Sequence, residues 1–138
     1  MEKREFISRS PSETFDIGDR IGRQANRGEV YALYGELGSG KTHLVKGIAR
    51  GMGVPDWEYV MSPSFAIMNL YEGTSVLCHV DLYRIEADEV HDLNLEEFLD
   101  TGIVVVEWAD KGLPWNDNIE IQVEITGENE RKIVMIKR

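Results

Sequence analysis

Two hydrophobic periods alternate along the chain. Thr14, Ile17, Gly18, Ile21, Gly22 and Ala25 recur at helical spacing, as do Leu44, Val45, Ile48 and Met52, so each stretch predicts a helix with one buried face. Between them Val30 to Tyr34 is an unbroken apolar run, and Ile103 to Val106 is another. Such runs suit strands covered on both faces, where neither side can be polar. Ile119, Ile121, Val123 and Ile125 instead alternate with polar residues, and after Gly127-Glu128-Asn129 the apolar pattern returns over Ile133 to Ile136. That layout predicts a closing hairpin.

A second hairpin is predicted from the β-rich runs Phe65 to Tyr71 and Ser75 to Asp81, joined by Glu72-Gly73-Thr74. Lys3 to Ser8 reads as a first strand. Ser10-Pro11-Ser12-Glu13 reads as a capping box, with Ser10 as N-cap, Pro11 at the first helical position and Glu13 three residues on. Gly28 ends that helix, and Gly51 and Gly53 stop the next. Glu86 to Asp100 predicts a third helix, with Val90, Leu93, Phe98 and Leu99 inward and a dense carboxylate face outward. Lys111 to Asn118, with Pro114, is read as loop. Helices between strands, combined with antiparallel hairpins, give an α/β expectation: a three-layer α/β/α fold with a mixed sheet, in one domain over residues 1–138.

The loop between the first apolar run and the second helix changes this picture from architecture to chemistry. Gly35-Glu36-Leu37-Gly38-Ser39-Gly40-Lys41-Thr42 is a full match to the phosphate-binding loop, which opens a helix directly after a strand. Chance matches to its four fixed positions arise on the order of 1% of the time in a chain of this length. The glycines permit backbone conformations in which consecutive N–H groups point at phosphate oxygens, and the helix that follows adds its positive end. Lys41 is suited to reach the β- and γ-phosphates, and the Thr42 hydroxyl to coordinate the accompanying Mg2+. The sequence therefore predicts a nucleoside-triphosphate site rather than an empty glycine turn.

Composition narrows the function further. A formal net charge of −10 argues against a broad direct grip on nucleic-acid backbone, which needs a basic face. No stretch approaches membrane-spanning length and the N-terminus lacks a signal-peptide core, so a cytoplasmic location without membrane partner is expected. Cys78 is the single cysteine, so no internal disulfide is expected, and its apolar neighbours predict a buried small hydrophobe.

Other residues gather around the loop by pattern. Glu107 follows the second apolar run and should emerge at the carboxyl end of a central strand, where open α/β sheets bind ligands. A carboxylate there can hold Mg2+ directly or through water. As a strand-end group it is expected to contribute little to folding. Trp108 beside it either covers the site or packs. His79 and Asp81 share one face of a strand end, since side chains alternate with period two. Asp81 suits a general base or an orienter of the attacking water, against the plainer reading of a hydrogen-bonded strand end. A zinc role for His79 with Asp81 is weaker, because no third ligand has suitable spacing. Ser62-Pro63-Ser64-Phe65 offers two hydroxyls before the hairpin and reads as a turn or as a switch segment sensing the γ-phosphate. The carboxylates of Glu86 to Asp100 read chiefly as a solvated face, or else as a dock for a basic partner. His43 and His91 are read as helix-surface residues.

The loop Gly35 to Thr42, Ser62-Pro63-Ser64-Phe65, His79-Val80-Asp81-Leu82-Tyr83-Arg84 and Glu107-Trp108, in this order within a short chain, make the sequence similar to the TsaE (YjeE) family. These are the small bacterial ATPases needed for threonylcarbamoyladenosine synthesis in tRNA. The resemblance runs from about Thr14 to Trp108. It implies a P-loop fold with a mixed sheet, ATP as ligand, Mg2+ at Thr42 and Glu107, a functional Asp81 near the phosphates and a switch-like loop at Ser62 to Phe65. It also implies that the segment around Thr14, and a basic residue of the last hairpin matched by Arg131, lie near the nucleotide base. The implied partners are the transferase TsaD and its companion TsaB, with tRNA reached only through them. Glu36, Ser39 and Ser64 stand where the family usually has Asp, Ala and Thr.

The resulting nucleotide-binding set is Thr14, Glu36, Leu37, Gly38, Ser39, Gly40, Lys41, Thr42 and Arg131, with Lys41, Asp81 and Glu107 as the catalytic set and His79 and Trp108 as further candidates. The function expected is a Mg2+-dependent, slow ATPase acting on a protein partner. A small-molecule kinase of the P-loop class is the alternative. Such kinases close an arginine-bearing lid over the γ-phosphate, whereas the stretch after the predicted hairpin is acidic and holds Arg84 alone before Gly102. A GTPase is disfavoured because no Asn-Lys-x-Asp stretch is present. A scaffold that binds nucleotide without hydrolysis stays open.

Overall fold

The computed structural model describes residues 2–36, 38–60, 68–83, 85, 86, 89, 92–108 and 118–137. Among them are seven strands: β1 (Glu2–Ser8), β2 (Val30–Gly35), β3 (Met68–Glu72), β4 (Val76–Asp81), β5 (Gly102–Glu107), β6 (Ile119–Ile125) and β7 (Arg131–Lys137). They form one sheet in the order β1-β7-β6-β2-β5-β4-β3. β6, β2, β5 and β4 run parallel, while β7, β1 and β3 are added antiparallel at the flanks. This is the mixed α/β sheet that the two hairpins and two apolar runs predict.

Burial explains the two kinds of pattern. β5 is buried along its whole length and β2 over its first four residues, because both sit mid-sheet beneath cover on either face. β6 buries Ile119, Ile121 and Val123 alone, since its alternation serves one covered face. On that face lie α1 (Pro11–Gln24) and α2 (Lys41–Gly51), whose Ile17, Ile21, Leu44 and Ile48 meet Leu33, Leu77, Val105 and Ile121. The opposite face collects Ala32, Cys78, Val80, Val104 and Val106 with Leu82, Ile85 and Leu95. Cys78 is the small buried hydrophobe expected of it, and burial pushes its thiol up to about 12.

The start of α1 follows its sequence signal. Ser10 Oγ accepts from the Glu13 N–H at 3.1 Å, and Glu13 Oε1 reaches back to the Arg9 N–H at 2.7 Å. The two helices then cross backbone to backbone. A Cβ on Gly18 would lie 2.2 Å from the Leu44 carbonyl oxygen, on Gly22 2.2 Å from that of Ile48, and on Gly47 2.1 Å from that of Phe15. Only hydrogen fits at these points, so α1 is locked against the helix that opens at Lys41.

The helix expected over Glu86 to Asp100 is not formed as one α-helix. Asn94 takes a left-handed conformation with φ 52°, and Leu95–Asp100 that follows is a 3-10 segment. Asparagine tolerates that conformation better than most residues. Carboxylates four apart, Asp92 with Glu96 and Glu96 with Asp100, would repel along an α-helix. The 3-10 repeat also stacks residues three apart, which places buried Leu95 and half-buried Phe98 together on the sheet. Of the inward residues expected, Leu93, Phe98 and Leu99 pack against this core, whereas Val90 and the surface residue His91 lie outside the described residues. So do Phe65 to Ile67 of the hairpin run and Lys111 to Asp117 of the expected loop. No helix among the described residues is long and apolar enough to cross a membrane.

Candidate functional site

β2, β4 and β5 end at one edge of the sheet. β2 runs out at Gly35, and Asp81 at the end of β4 is in register with Glu107 at the end of β5. Parallel strands that end together leave a crevice at their carboxyl edge. The glycine-rich loop crosses it with φ +82° at Gly38 and +103° at Gly40, values that residues with a Cβ rarely adopt. Gly40 caps α2 in this conformation. The Ser39 N–H donates to the Glu36 carbonyl at 3.0 Å, closing the loop on itself. Leu37 lies outside the described residues.

A cavity of about 340 Å3 opens over the loop, lined by Gly38, Gly40, Lys41, Thr42, His43, Asp81, Glu107 and Trp108. Lys41 is only 8% exposed, and its Nζ lies 4.8 Å from the ring centroid of Trp108, a cation–π contact. Trp108 holds φ +60°, unusual for a residue other than glycine, and its ring packs on Tyr83 with centroids 5.0 Å apart. Of the two readings of Trp108, the geometry places it over Lys41. Asp81 Oδ1 accepts from the Tyr83 N–H at 2.9 Å. Glu107 is 3% exposed, fully buried His79 stands behind it, and His79 Nε2 is 2.6 Å from Glu107 Oε2. His79 and Asp81 therefore engage different partners.

Mg2+ keeps several waters and takes one or two protein oxygens beside the phosphates. The Thr42 hydroxyl and the Glu107 carboxylate on one cavity with Lys41 fit that demand. Among the described residues no three His, Cys, Asp or Glu side chains come together as a metal centre, and a nucleotide-borne Mg2+ does not require one.

A smaller cavity of about 150 Å3 lies on the other side of the loop, between Ser10, Pro11, Thr14, Gly38, Ser39, Gly40, His43 and the turn residues Glu128, Asn129 and Arg131. Buried Thr14 is held by Ser8, the hydroxyl oxygens 2.7 Å apart. Arg131 clamps the loop to the β6–β7 turn. Its Nε donates to the Ser39 carbonyl at 2.9 Å, and its Nη1 to the carbonyls of Gly127 at 3.0 Å and Glu130 at 2.9 Å.

The structure thus brings Gly38, Gly40, Lys41, Thr42, Asp81, Glu107 and Trp108 to one cavity and Thr14, Ser39 and Arg131 to its neighbour. Glu36 is not among them. Its side chain is exposed and lines an open groove with Gln122 and Glu124, so its contribution at the loop is the carbonyl. Ser62, Ser64 and Arg84 lie outside the described residues. Sequence reasoning passed over His43, which lines both cavities; its place directly after the loop hydroxyl, in the first turn of the helix, was the available signal.

Comparison with known proteins bears on the same chain. The family model described as Threonylcarbamoyl adenosine biosynthesis protein TsaE matches residues 8–133. A tRNA threonylcarbamoyladenosine biosynthesis protein TsaE of Aquifex aeolicus is 35% identical over 136 residues, covering 98% of this chain and 97% of the relative. Its counterpart in Bacillus subtilis is 37% identical over 138 residues, covering 96% of this chain and 85% of the relative. The crystal structure of Bacillus subtilis YdiB superposes with a TM-score of 0.79 at 30% identity, covering 99% of this chain and 86% of that one.

Proposed function

The chain belongs to the TsaE family and serves the biosynthesis of threonylcarbamoyladenosine in tRNA; from that premise we propose that it is a cytoplasmic, Mg2+-dependent ATPase, slow by itself, that acts on a TsaB/TsaD-type transferase complex. The observation that carries this reading is the single cavity that gathers Lys41, Thr42, Asp81 and Glu107 over the glycine loop. Loop N–H groups and the N-terminus of α2 bind the phosphates. Lys41 leaves the face of Trp108 to pair with the β- and γ-phosphates, exchanging a cation–π contact for stronger charge-assisted hydrogen bonds. Asp81 orients the attacking water or takes its proton. Bound Mg2+, held through Thr42 and Glu107, would neutralise charge developing on the phosphate oxygens. Thr14 and Arg131 border the neighbouring cavity, which receives the base.

Among the described residues, Lys41 is the permanent positive charge on the cavity wall. Phosphoryl transfer without an added arginine is slower by about 10^3- to 10^5-fold in related chemistry, so unaided turnover is expected to be slow and to rise when a partner docks. The test is phosphate release from ATP with Mg2+, by the purified chain alone and then with TsaB and TsaD from the same organism. Weak release that increases with both partners is the expected result. Unchanged release, together with phosphorylation of a small metabolite, would overturn the proposal in favour of a kinase.

A further inference from the structure

His79 has no part in the chemistry above, yet it is fully buried behind Glu107. Its Nε2 lies 2.6 Å from Glu107 Oε2, and a carboxylate oxygen only accepts, so Nε2 carries the hydrogen and donates. Its Nδ1 has no hydrogen-bond partner among the described residues. A buried nitrogen left unpaired is destabilising. Leu77 on the same strand and Val105 in register on β5 are apolar, and Asn69, in register on β3, is polar but gives Nδ1 no hydrogen bond. An aliphatic side chain at 79 would pack there without an orphaned polar atom. Among the described residues, the bond to Glu107 is the one hydrogen bond that an imidazole makes here and an aliphatic side chain could not.

We propose that His79 is a positioning residue for the cation: its Nε2–H holds the Glu107 carboxylate in one rotamer, so that a nucleotide-borne Mg2+ meets a preset ligand. The proposal rests on the reading of this cavity as a Mg2+–nucleotide site. A glutamate without this bond samples several rotamers, and ordering it opposes cation binding. Hydrogen bonds that orient a metal ligand from behind are typically worth about 10- to 100-fold in metal affinity. The effect belongs to the cation and not to the phosphates, which bind the loop and Lys41.

The experiment separates these two. Affinity for a fluorescent ATP analogue is measured twice for each protein, once with EDTA and once with Mg2+, and the ratio of the two affinities reports the cation's contribution. Three variants are compared with the parent chain after their thermal midpoints are recorded. His79→Leu removes the donor and keeps an apolar fill. His79→Gln places an amide N–H close to the position of Nε2, and His79→Asn places one close to Nδ1, short of Glu107. Leu and Asn are expected to lower the Mg2+-dependent gain by about 10-fold or more while the EDTA affinity stays at the parent value, and Gln is expected to restore it. Because Gln and Asn bury the same polar group, a folding defect common to both cannot mimic a difference between them. Equal Mg2+-dependent gains for Gln and Asn, whether both intact or both lost, would overturn the proposal. A parent chain that fails to bind the analogue at all would instead overturn the nucleotide-site reading beneath it.

Discussion

Lys41 is engaged within the protein itself, with its stem buried and its ammonium over Trp108. Lys41→Ala removes the charge that the transferring phosphate would meet. Turnover is expected to fall by about 100-fold or more, on the scale of losing one preorganised electrostatic group, and wild-type turnover in a phosphate-release assay would refute the site. Glu107 shows why a residue's setting decides the choice of variant. As a strand-end carboxylate it is expected to be solvated and dispensable for folding, but it is 3% exposed and bonded to a fully buried imidazole. Glu107→Ala therefore leaves the His79 N–H buried without an acceptor, at a cost of about 1–3 kcal/mol, and lowers the thermal midpoint as well as Mg2+-dependent activity. Glu107→Gln keeps an acceptor for His79 and should spare most of that stability while losing the carboxylate's charge toward the cation. Equal midpoints for the Ala and Gln variants would show that the bond contributes nothing to the fold.

At the level of elements, the crossing of α1 on α2 fixes where the loop sits, because α2 begins at Lys41 and α1 carries Thr14 toward Gly40. A methyl group at Gly47 would press on the Phe15 carbonyl oxygen from 2.1 Å, a backbone atom that moves only with the whole helix. Gly47→Ala gains up to about 1 kcal/mol in helix propensity but overpacks at about 1–3 kcal/mol. A lowered midpoint in thermal unfolding is expected, and a raised one would mean that the helices separate without strain. The strands, the two hairpins and the capping box were legible because each is a local pattern: a continuous apolar run, a period of two, a serine three residues before a glutamate. The third helix was misread because its apolar residues suit α and 3-10 spacing alike, and the arbiter is one torsion at Asn94. The cavity residues were legible for the same local reason, since the loop, His79 to Asp81 and Glu107 are strand-end motifs. The setting of Glu107 was not, because it depends on a bond across 28 residues. The grip of Arg131 on Ser39 spans 92 residues and leaves no periodic trace; only the family resemblance singled that arginine out.

Across the whole molecule, charge decides what the chain meets directly. Its 15 basic and 25 acidic residues give a net charge of −10, and several of the basic groups are already engaged: Arg131 with the loop, Arg23 and Arg50 with Asp19, Lys137 with Glu29. A protein that grips a polynucleotide releases one condensed cation per phosphate it neutralises, and that release drives binding at ordinary salt. With an excess of carboxylates this chain would instead concentrate cations around itself and repel the phosphate backbone at distances up to about 8 Å in physiological salt. Service to a tRNA modification is then best reconciled with contact through a protein that holds the tRNA. In fluorescence anisotropy with labelled tRNA near physiological salt, the chain alone is expected to leave the signal unchanged at micromolar concentration. Adding it to a preformed TsaB/TsaD–tRNA assembly should raise the anisotropy in an ATP-dependent manner. Binding of tRNA by the chain alone, weakening steeply as salt is raised, would reveal a basic face that the net charge conceals and would make the contact direct.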